Sequence, residues 1–148
     1  MAGYGAGFLD TNVLLYAMDP RDPAKQATAA DLVRDLSEQG GAMISTQVLI
    51  ELFSNLHRKL GVSRERAAVV CYALTEGSVV PSDLPLVMKA LARSAQTQLS
   101  IWDCMIVEAA LAGGARVLYS EDFTHGQTFG RLRVVNPFEP AAASPLDL

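Results

Sequence analysis

The chain carries four acidic side chains whose positions suit chemistry with a metal ion: Asp10, Glu51, Asp103 and Asp122. Asp10 directly follows a short apolar run, and Asp122 comes just after another. Carboxylate oxygens are hard ligands that Mg²⁺ and Mn²⁺ prefer over Zn²⁺. Clustered carboxylates repel one another unless a cation neutralises them, and such a cation also binds phosphate oxygens and lowers the pKa of an attacking water. These residues therefore predict metal-assisted hydrolysis of a phosphodiester.

Two of the acids also have a purely structural interpretation. Asp10 opens the sequence Asp-Thr-Asn and could simply be the N-cap of a helix. Helical spacing gives Asp103 the same face as Ile106 and Val107, so its carboxylate points inward and requires a partner. The segment from Ser100 to Asp103 equally fits a capping box, in which Asp103 would satisfy a backbone N–H.

The other two acids are still more ambiguous. Glu51 lies off the apolar stripe of its predicted helix, on one side with Asn55 and Arg58. This arrangement is typical of an ordinary solvated face, but it also suits the rim of a cleft where Asn55 and Arg58 contact a phosphate backbone. Asp122 stands beside Glu121 in a predicted turn, and one of the two faces the strand ends.

Apolar periodicity and turn residues predict short strands that alternate with helices. The five predicted strands are Gly7–Leu9, Ala42–Ser45, Ser78–Val80, Arg116–Tyr119 and Leu132–Val135. The six predicted helices are Thr11–Ala17, Pro23–Gln39, Gln47–Leu60, Arg64–Glu76, Asp83–Thr97 and Ile101–Ala112. This order implies an α/β fold with a parallel central sheet covered by helices on both faces. In such sheets ligands bind beyond the carboxyl ends of the strands, where Asp10 and Asp122 would meet.

Small polar residues and glycines mark the ends of these helices. The predicted N-caps are Thr46, Ser63, Ser82 and Ser100, and the predicted stops are Gly40, Gly61, Gly77 and Gly113.

The length, composition and net charge of the chain indicate the broad class of protein to which it belongs. With 148 residues, half of them hydrophobic, the chain is long enough for one domain, predicted over residues 1–138 with a flexible tail at 139–148. The net charge of −4 means that any contact with nucleic acid must be local. Neither a signal peptide nor a membrane span is visible, and the spacing of Cys71 and Cys104 indicates neither a disulfide framework nor a zinc finger. We therefore expect a cytoplasmic protein.

Four segments, in order along the chain, resemble the PIN-domain ribonucleases and specifically the VapC-type toxins of bacterial toxin–antitoxin pairs. They are Phe8–Leu14, Ile44–Leu52, Leu99–Ile106 and Leu118–Phe123. Two further stretches near the end, His125–Gln127 and Val134–Phe138, also look like this family.

The resemblance implies a single PIN-like domain in which the four acids form the catalytic site, with Asp10 and Asp103 as direct metal ligands. Asn12 and Ser120 would be supporting polar groups, and Asp122 rather than Glu121 would face the site. The implied activity is that of a Mg²⁺- or Mn²⁺-dependent endoribonuclease, a homodimer held inactive by a cognate VapB-type antitoxin. The alternative is a non-catalytic PIN-like module that uses the cleft only to bind a protein. Such a module would be expected to lack one of the acids, and all four are present.

Overall fold

The computed structural model describes residues 6–139, which form six strands and six helices. The strands are β1 (Gly7–Leu9), β2 (Ala42–Ser45), β3 (Ser78–Val80), β4 (Val117–Tyr119), β5 (Thr128–Phe129) and β6 (Leu132–Val135). The helices are α1 (Thr11–Ala17), α2 (Pro23–Glu38), α3 (Thr46–Leu60), α4 (Arg64–Leu74), α5 (Leu84–Gln96) and α6 (Ile101–Ala112).

The strands form one sheet in the order β3-β2-β1-β4-β6-β5. Every pairing is parallel except that of β5 with β6, which is antiparallel. From β1 the chain moves outward to β2 and β3, then returns to place β4 on the other side of β1, so the order reverses between β1 and β4. Leu9 pairs with Tyr119 there, which brings the residues that follow both strands to one point at the carboxyl edge.

The central strands β1 and β4 consist of continuous apolar runs because they lie in the core. All residues of β1 and β4 are buried, as expected for strands covered by helices on both faces. Helix α6 is buried without interruption from Cys104 to Ala110, so it packs on all sides rather than along one stripe. Asp10 therefore directly follows a fully buried strand, and Asp103 directly precedes the buried part of α6.

The predicted α/β fold is confirmed, with corrections at its edges. The five predicted strands are present, but the sheet has a sixth, β5, whose two residues are too few to give a periodic signal. Glycine ends α3 as predicted, at Gly61 with a φ of +68°.

Two predicted N-caps are wrong by one residue. Ser45 rather than Thr46 caps α3, and Asp83 rather than Ser82 caps α5. The Thr46 hydroxyl accepts a hydrogen bond from the Ser82 N–H at 3.0 Å, which links the starts of the two helices. The capping side chains, Ser45 and Asp83, instead accept from backbone N–H groups in the first turns of their helices.

Across residues 6–139, no helix is both long enough and apolar enough to cross a bilayer. The predicted tail at 139–148 lies outside the described residues, apart from Glu139.

Candidate active site

Asp10 lies at the junction of β1 and α1, with 5% of its surface exposed. One carboxylate oxygen accepts a hydrogen bond from the backbone N–H of Thr11 at 2.7 Å, so the predicted N-cap role is real. The other accepts one from the Ser120 hydroxyl at 2.7 Å, across the β1–β4 junction. The N-cap role is therefore confirmed, and it is compatible with the site interpretation, because the second oxygen faces the junction of β1 and β4.

Asn12 ties the loop after β4 to the start of α1. Its Nδ2 donates to the Asp122 carboxylate at 2.9 Å and, more weakly, to Asp10 at 3.4 Å. Its Oδ1 accepts from the backbone N–H of Glu121 at 3.4 Å. The Asp122 N–H in turn donates to the Ser120 hydroxyl at 3.0 Å. Asn12 and Ser120 thus hold two carboxylates in fixed positions beside each other.

Glu51 reaches the same site from α3. Its Oε1 accepts a hydrogen bond from the Thr11 hydroxyl at 2.9 Å, and its Oε2 accepts one from Gln47 at 3.4 Å. The side chain is half-buried. The solvated face that its spacing also allowed is therefore not what the structure shows. One helical turn later, Asn55 lines the same cleft.

Asp103 joins the other acids through charge rather than through a hydrogen bond. It is half-buried in the first turn of α6, where its backbone N–H donates to the Ser100 hydroxyl at 3.2 Å. Burial, followed by the negative charges of Asp122 and Glu51, raises the pKa of its carboxyl. The Ser100 cap sets where α6 begins, and so where Asp103 stands relative to the other acids.

Asp10 has a raised pKa, and unlike the other buried acids it forms no salt bridge within the described residues. Burial raises the pKa of its carboxyl from 3.8 to about 7. The hydrogen bonds from Ser120 and Thr11 lower this pKa, but their effect is smaller than that of burial. Of the acids that are buried within residues 6–139, Glu108 forms a salt bridge with Arg93 and Asp19 forms one with Arg21, whereas Asp10 forms none. A cation placed at Asp10 would therefore be strongly favoured.

The structure also separates Glu121 from Asp122. Lys25 Nζ lies 2.8 Å from the Glu121 carboxylate, and it packs over the rings of Tyr16 and Phe138 at 4.5 and 5.0 Å from their centroids. Glu121 is therefore neutralised by the fold, and Asp122 is left facing Asn12 and Asp10. Sequence reasoning missed Lys25, because 96 positions separate it from Glu121 and no local pattern links them.

The sequence matches the PIN domain family over residues 7–128, which is most of the chain. This chain belongs to the PIN domain family. VapC20 from Mycobacterium tuberculosis, a sarcin-ricin loop cleaving toxin, has a similar structure with a TM-score of 0.61 and 25% identity, over 79% of this chain and 90% of that one. The resemblance to VapC-type PIN domains that the sequence segments indicate is therefore confirmed.

Two solved complexes share the fold of this PIN domain at lower identity. A toxin–antitoxin complex from Klebsiella pneumoniae has a TM-score of 0.65 at 15% identity, over 90% of this chain and 99% of that one. VapBC2 from Rickettsia felis, bound to a DNA fragment from its promoter, has a TM-score of 0.62 at 17% identity, over 87% and 96%. No curated protein sequence matches this chain significantly.

The donors of this PIN domain fit a hard divalent cation. Asp10, Glu51 and Asp122 border a cleft of about 370 Å³, and Asp103 is not among its lining residues. The groups that donate hydrogen bonds to Asp10 are a backbone amide, a hydroxyl and a side-chain amide. Within the described part of the chain, no three His, Cys, Asp or Glu side chains lie close enough together to enclose a metal ion. An open site of this kind suits Mg²⁺ or Mn²⁺, because Mg²⁺ keeps several waters and binds through about one or two carboxylates plus substrate phosphates. Ribonucleases of the PIN family generally use divalent metal ions.

The remaining predicted residues line a second, larger cleft of about 650 Å³ next to the first. Arg58 lies in this second cleft alone, whereas Glu51 and Asn55 line both. The two clefts therefore adjoin along α3. Trp102, for which the sequence predicted no role of its own, also lines the larger cleft.

Proposed function

We propose that this PIN domain is an endoribonuclease toxin of the VapC type, which hydrolyses RNA phosphodiester bonds with Mg²⁺ or Mn²⁺ and is inhibited by a VapB-type antitoxin. The observation that carries the proposal is the buried Asp10 carboxyl, whose pKa lies near 7 and which has no salt bridge within residues 6–139. It sits where the strand order reverses, and the charges of Asp122 and Glu51 act on it. The same two acids also act on Asp103. A buried carboxylate without a partner is costly, so a metal ion bound at Asp10 would offset that cost.

Each residue has a distinct role in the proposal. Asp10 and Asp103 would hold the metal ion, and Glu51 and Asp122 would add negative charge that favours the cation. Asn12 and Ser120 position Asp10 and Asp122 through the hydrogen bonds described above. When bound, a divalent ion supplies positive charge for the phosphate oxygens and lowers the pKa of the attacking water.

RNA binding is assigned to the cleft rather than to bulk charge. The net charge of −4 gives the chain no general attraction for polyanions. Asn55 borders the acid site, as we call the four acids Asp10, Glu51, Asp103 and Asp122. Arg58 lies one turn further along α3, so a phosphate backbone that runs along this helix could contact both residues. VapC20 is described as cleaving the sarcin-ricin loop, which supports structured RNA loops as the first substrates to examine.

The antitoxin is inferred from the solved complexes and from the chemistry of the cleft. The similar structures from Klebsiella pneumoniae and Rickettsia felis are toxin–antitoxin complexes. An acidic cleft suits a peptide that presents a basic side chain, which would compete with the metal ion for Asp10. We also propose that the nuclease domain spans residues 1–138 and acts as a homodimer in the cytoplasm.

Cleavage of total cellular RNA by purified, antitoxin-free protein tests the proposal. The assay compares Mg²⁺, Mn²⁺ and EDTA for the wild type, Asp10→Asn and the matched control Asp35→Asn, which removes an exposed carboxylate on α2. We expect discrete fragments that require both the metal and Asp10, and unchanged cleavage by the control. Cleavage that persists in EDTA would refute metal dependence. A folded wild type that cleaves no RNA would favour the protein-binding module.

A further inference from the structure

Trp102 presents an aromatic ring to solvent beside the acid site. The side chain is 64% exposed in the first turn of α6, and it directly precedes Asp103. Burying a Trp is among the larger hydrophobic gains open to a fold, and this residue contributes little to the core. The ring is therefore free to contact something outside the domain.

The surroundings of Trp102 are mixed rather than simply apolar. The ring shares the 650 Å³ cleft with Ile50 and Met105, and the rest of that cleft is formed by amides, hydroxyls, Glu51 and one cation, Arg58. Arg58 is exposed, and within residues 6–139 it forms no salt bridge. Its guanidinium is thus available to a phosphate.

This set of groups matches one nucleotide of single-stranded RNA. A flat aromatic ring stacks on a base, a guanidinium binds the phosphate, and amides reach the base edges. Charge complementarity favours RNA over a second protein, because Arg58 and the neighbouring Lys59 place two exposed cations at the end of α3. Glu51 and Asn55 line both clefts, so a strand lying here continues directly into the acid site.

We infer that Trp102 stacks on an unpaired base of the substrate, next to the phosphate that enters the acid site, while Arg58 contacts the adjoining phosphate. The inference rests on the proposed ribonuclease function and adds a specificity-determining residue to it. Bases in an A-form duplex are already stacked and cannot reach the ring. The enzyme would therefore select loops or single strands over duplex RNA.

Fluorescence tests the stacking directly, because Trp102 is the single Trp in the sequence. Asp10→Asn protein in Mg²⁺ is titrated with an RNA hairpin that carries an unpaired loop, and separately with the same sequence fully paired. Labelled RNA reports binding in parallel. We expect saturable quenching by the hairpin and none by the duplex. Hairpin binding without quenching, or quenching by both RNAs alike, would overturn the inference.

Kinetics with the wild-type acids separate stacking from a structural role. Trp102→Ala should raise KM for the hairpin about fivefold or more, with a smaller change in kcat, and Trp102→Phe should restore most of the loss. The matched control is Tyr72→Ala, which removes a 72% exposed aromatic from α4 and should change neither constant. Equal kinetics for Trp102→Ala and the wild type would overturn the inference and leave the proposed function standing.

Two other outcomes are distinguishable. A wild type that cleaves no RNA would refute the proposed function, and the quenching experiment would then decide RNA binding separately. A change in Trp emission on concentrating the protein without RNA would show that a second copy covers the ring, and this would also overturn the inference.

Discussion

Two carboxyl groups of this domain are buried to almost the same degree, but only one of them has a positively charged partner. Glu108, 8% exposed on α6, accepts a hydrogen bond from Arg93 Nε at 2.6 Å, and the guanidinium lies 5.5 Å from the centre of the Phe129 ring. Asp10, 5% exposed at the end of β1, receives hydrogen bonds but no positive charge from the described residues. The fold neutralises the first acid internally and leaves the second to a cation from solution.

The difference teaches how to separate a structural acid from a functional one. Burying a charge is costly, so a buried carboxylate either has a protein cation or its pKa rises until it is neutral. Glu108 follows the first course. Asp10 follows the second, with a pKa raised to about 7 by its burial, and this is the state that a divalent cation can reverse. Burial alone would have classed the two acids together.

Removing the charge should abolish most cleavage at Asp10 but should change cleavage little at Glu108, and the largest effect is expected at the metal site. Asp10→Asn or Asp103→Asn should lower kcat/KM for RNA cleavage about 10³-fold, because a metal ligand is lost, while circular dichroism shows a folded protein. Glu108→Gln should leave the cleavage rate per folded molecule within about twofold of the wild type. Unfolding of Asp10→Asn at room temperature would instead class Asp10 with Glu108 as a structural acid.

Breaking the internal pair should destabilise the fold without changing the chemistry. Arg93→Met leaves Glu108 buried without its cation, which should lower the free energy of unfolding by about 2–3 kcal/mol, somewhat less than for a fully buried pair because Arg93 is partly exposed. Urea unfolding measures this change. The double variant Arg93→Met, Glu108→Leu should recover much of the loss. A double variant as unstable as the single one would show that the buried charge is not the cause.

The pH dependence of stability should expose the uncompensated acid. The folded state holds a proton on Asp10 up to about pH 7 and the unfolded state loses it near 3.8, so the metal-free protein loses stability as the pH rises through that window. Asp10→Asn should remove this loss and stabilise the metal-free protein at pH 7.5 by about 1–4 kcal/mol. Thermal unfolding in EDTA at pH 5 and pH 7.5 measures it. Equal pH slopes for the wild type and the variant would contradict the assignment.

A smaller effect is expected at Glu51, which supports the site from its rim. Glu51→Gln keeps the hydrogen bond from Thr11 and removes one negative charge, so cleavage should fall about tenfold through weaker metal binding. The loss should shrink as the Mg²⁺ concentration is raised. Wild-type activity at low Mg²⁺ would make Glu51 an ordinary polar residue of α3.

The sequence predicted the parts of this site that depend on local rules. Short apolar runs that alternate with amphipathic segments gave the parallel sheet, and the placement of ligands at strand ends brought Asp10 and Asp122 to one edge. Helical spacing could not decide whether Glu51 faces solvent or the cleft, because that depends on how α3 packs against α1. The Lys25–Glu121 pair was not predictable, since it joins residues brought together only by the tertiary fold.

The most direct test of the central claim is Mn²⁺ binding, measured by electron paramagnetic resonance at pH 7.5. The wild type and the exposed-acid control Asp35→Asn should bind Mn²⁺ with the same saturable affinity, and Asp10→Asn should lose that binding. Glu108→Gln should behave as the wild type, because its partner is already Arg93. Equal Mn²⁺ binding by Asp10→Asn and the wild type would contradict the account, because the Asp10 carboxylate would then not be a ligand of the metal ion.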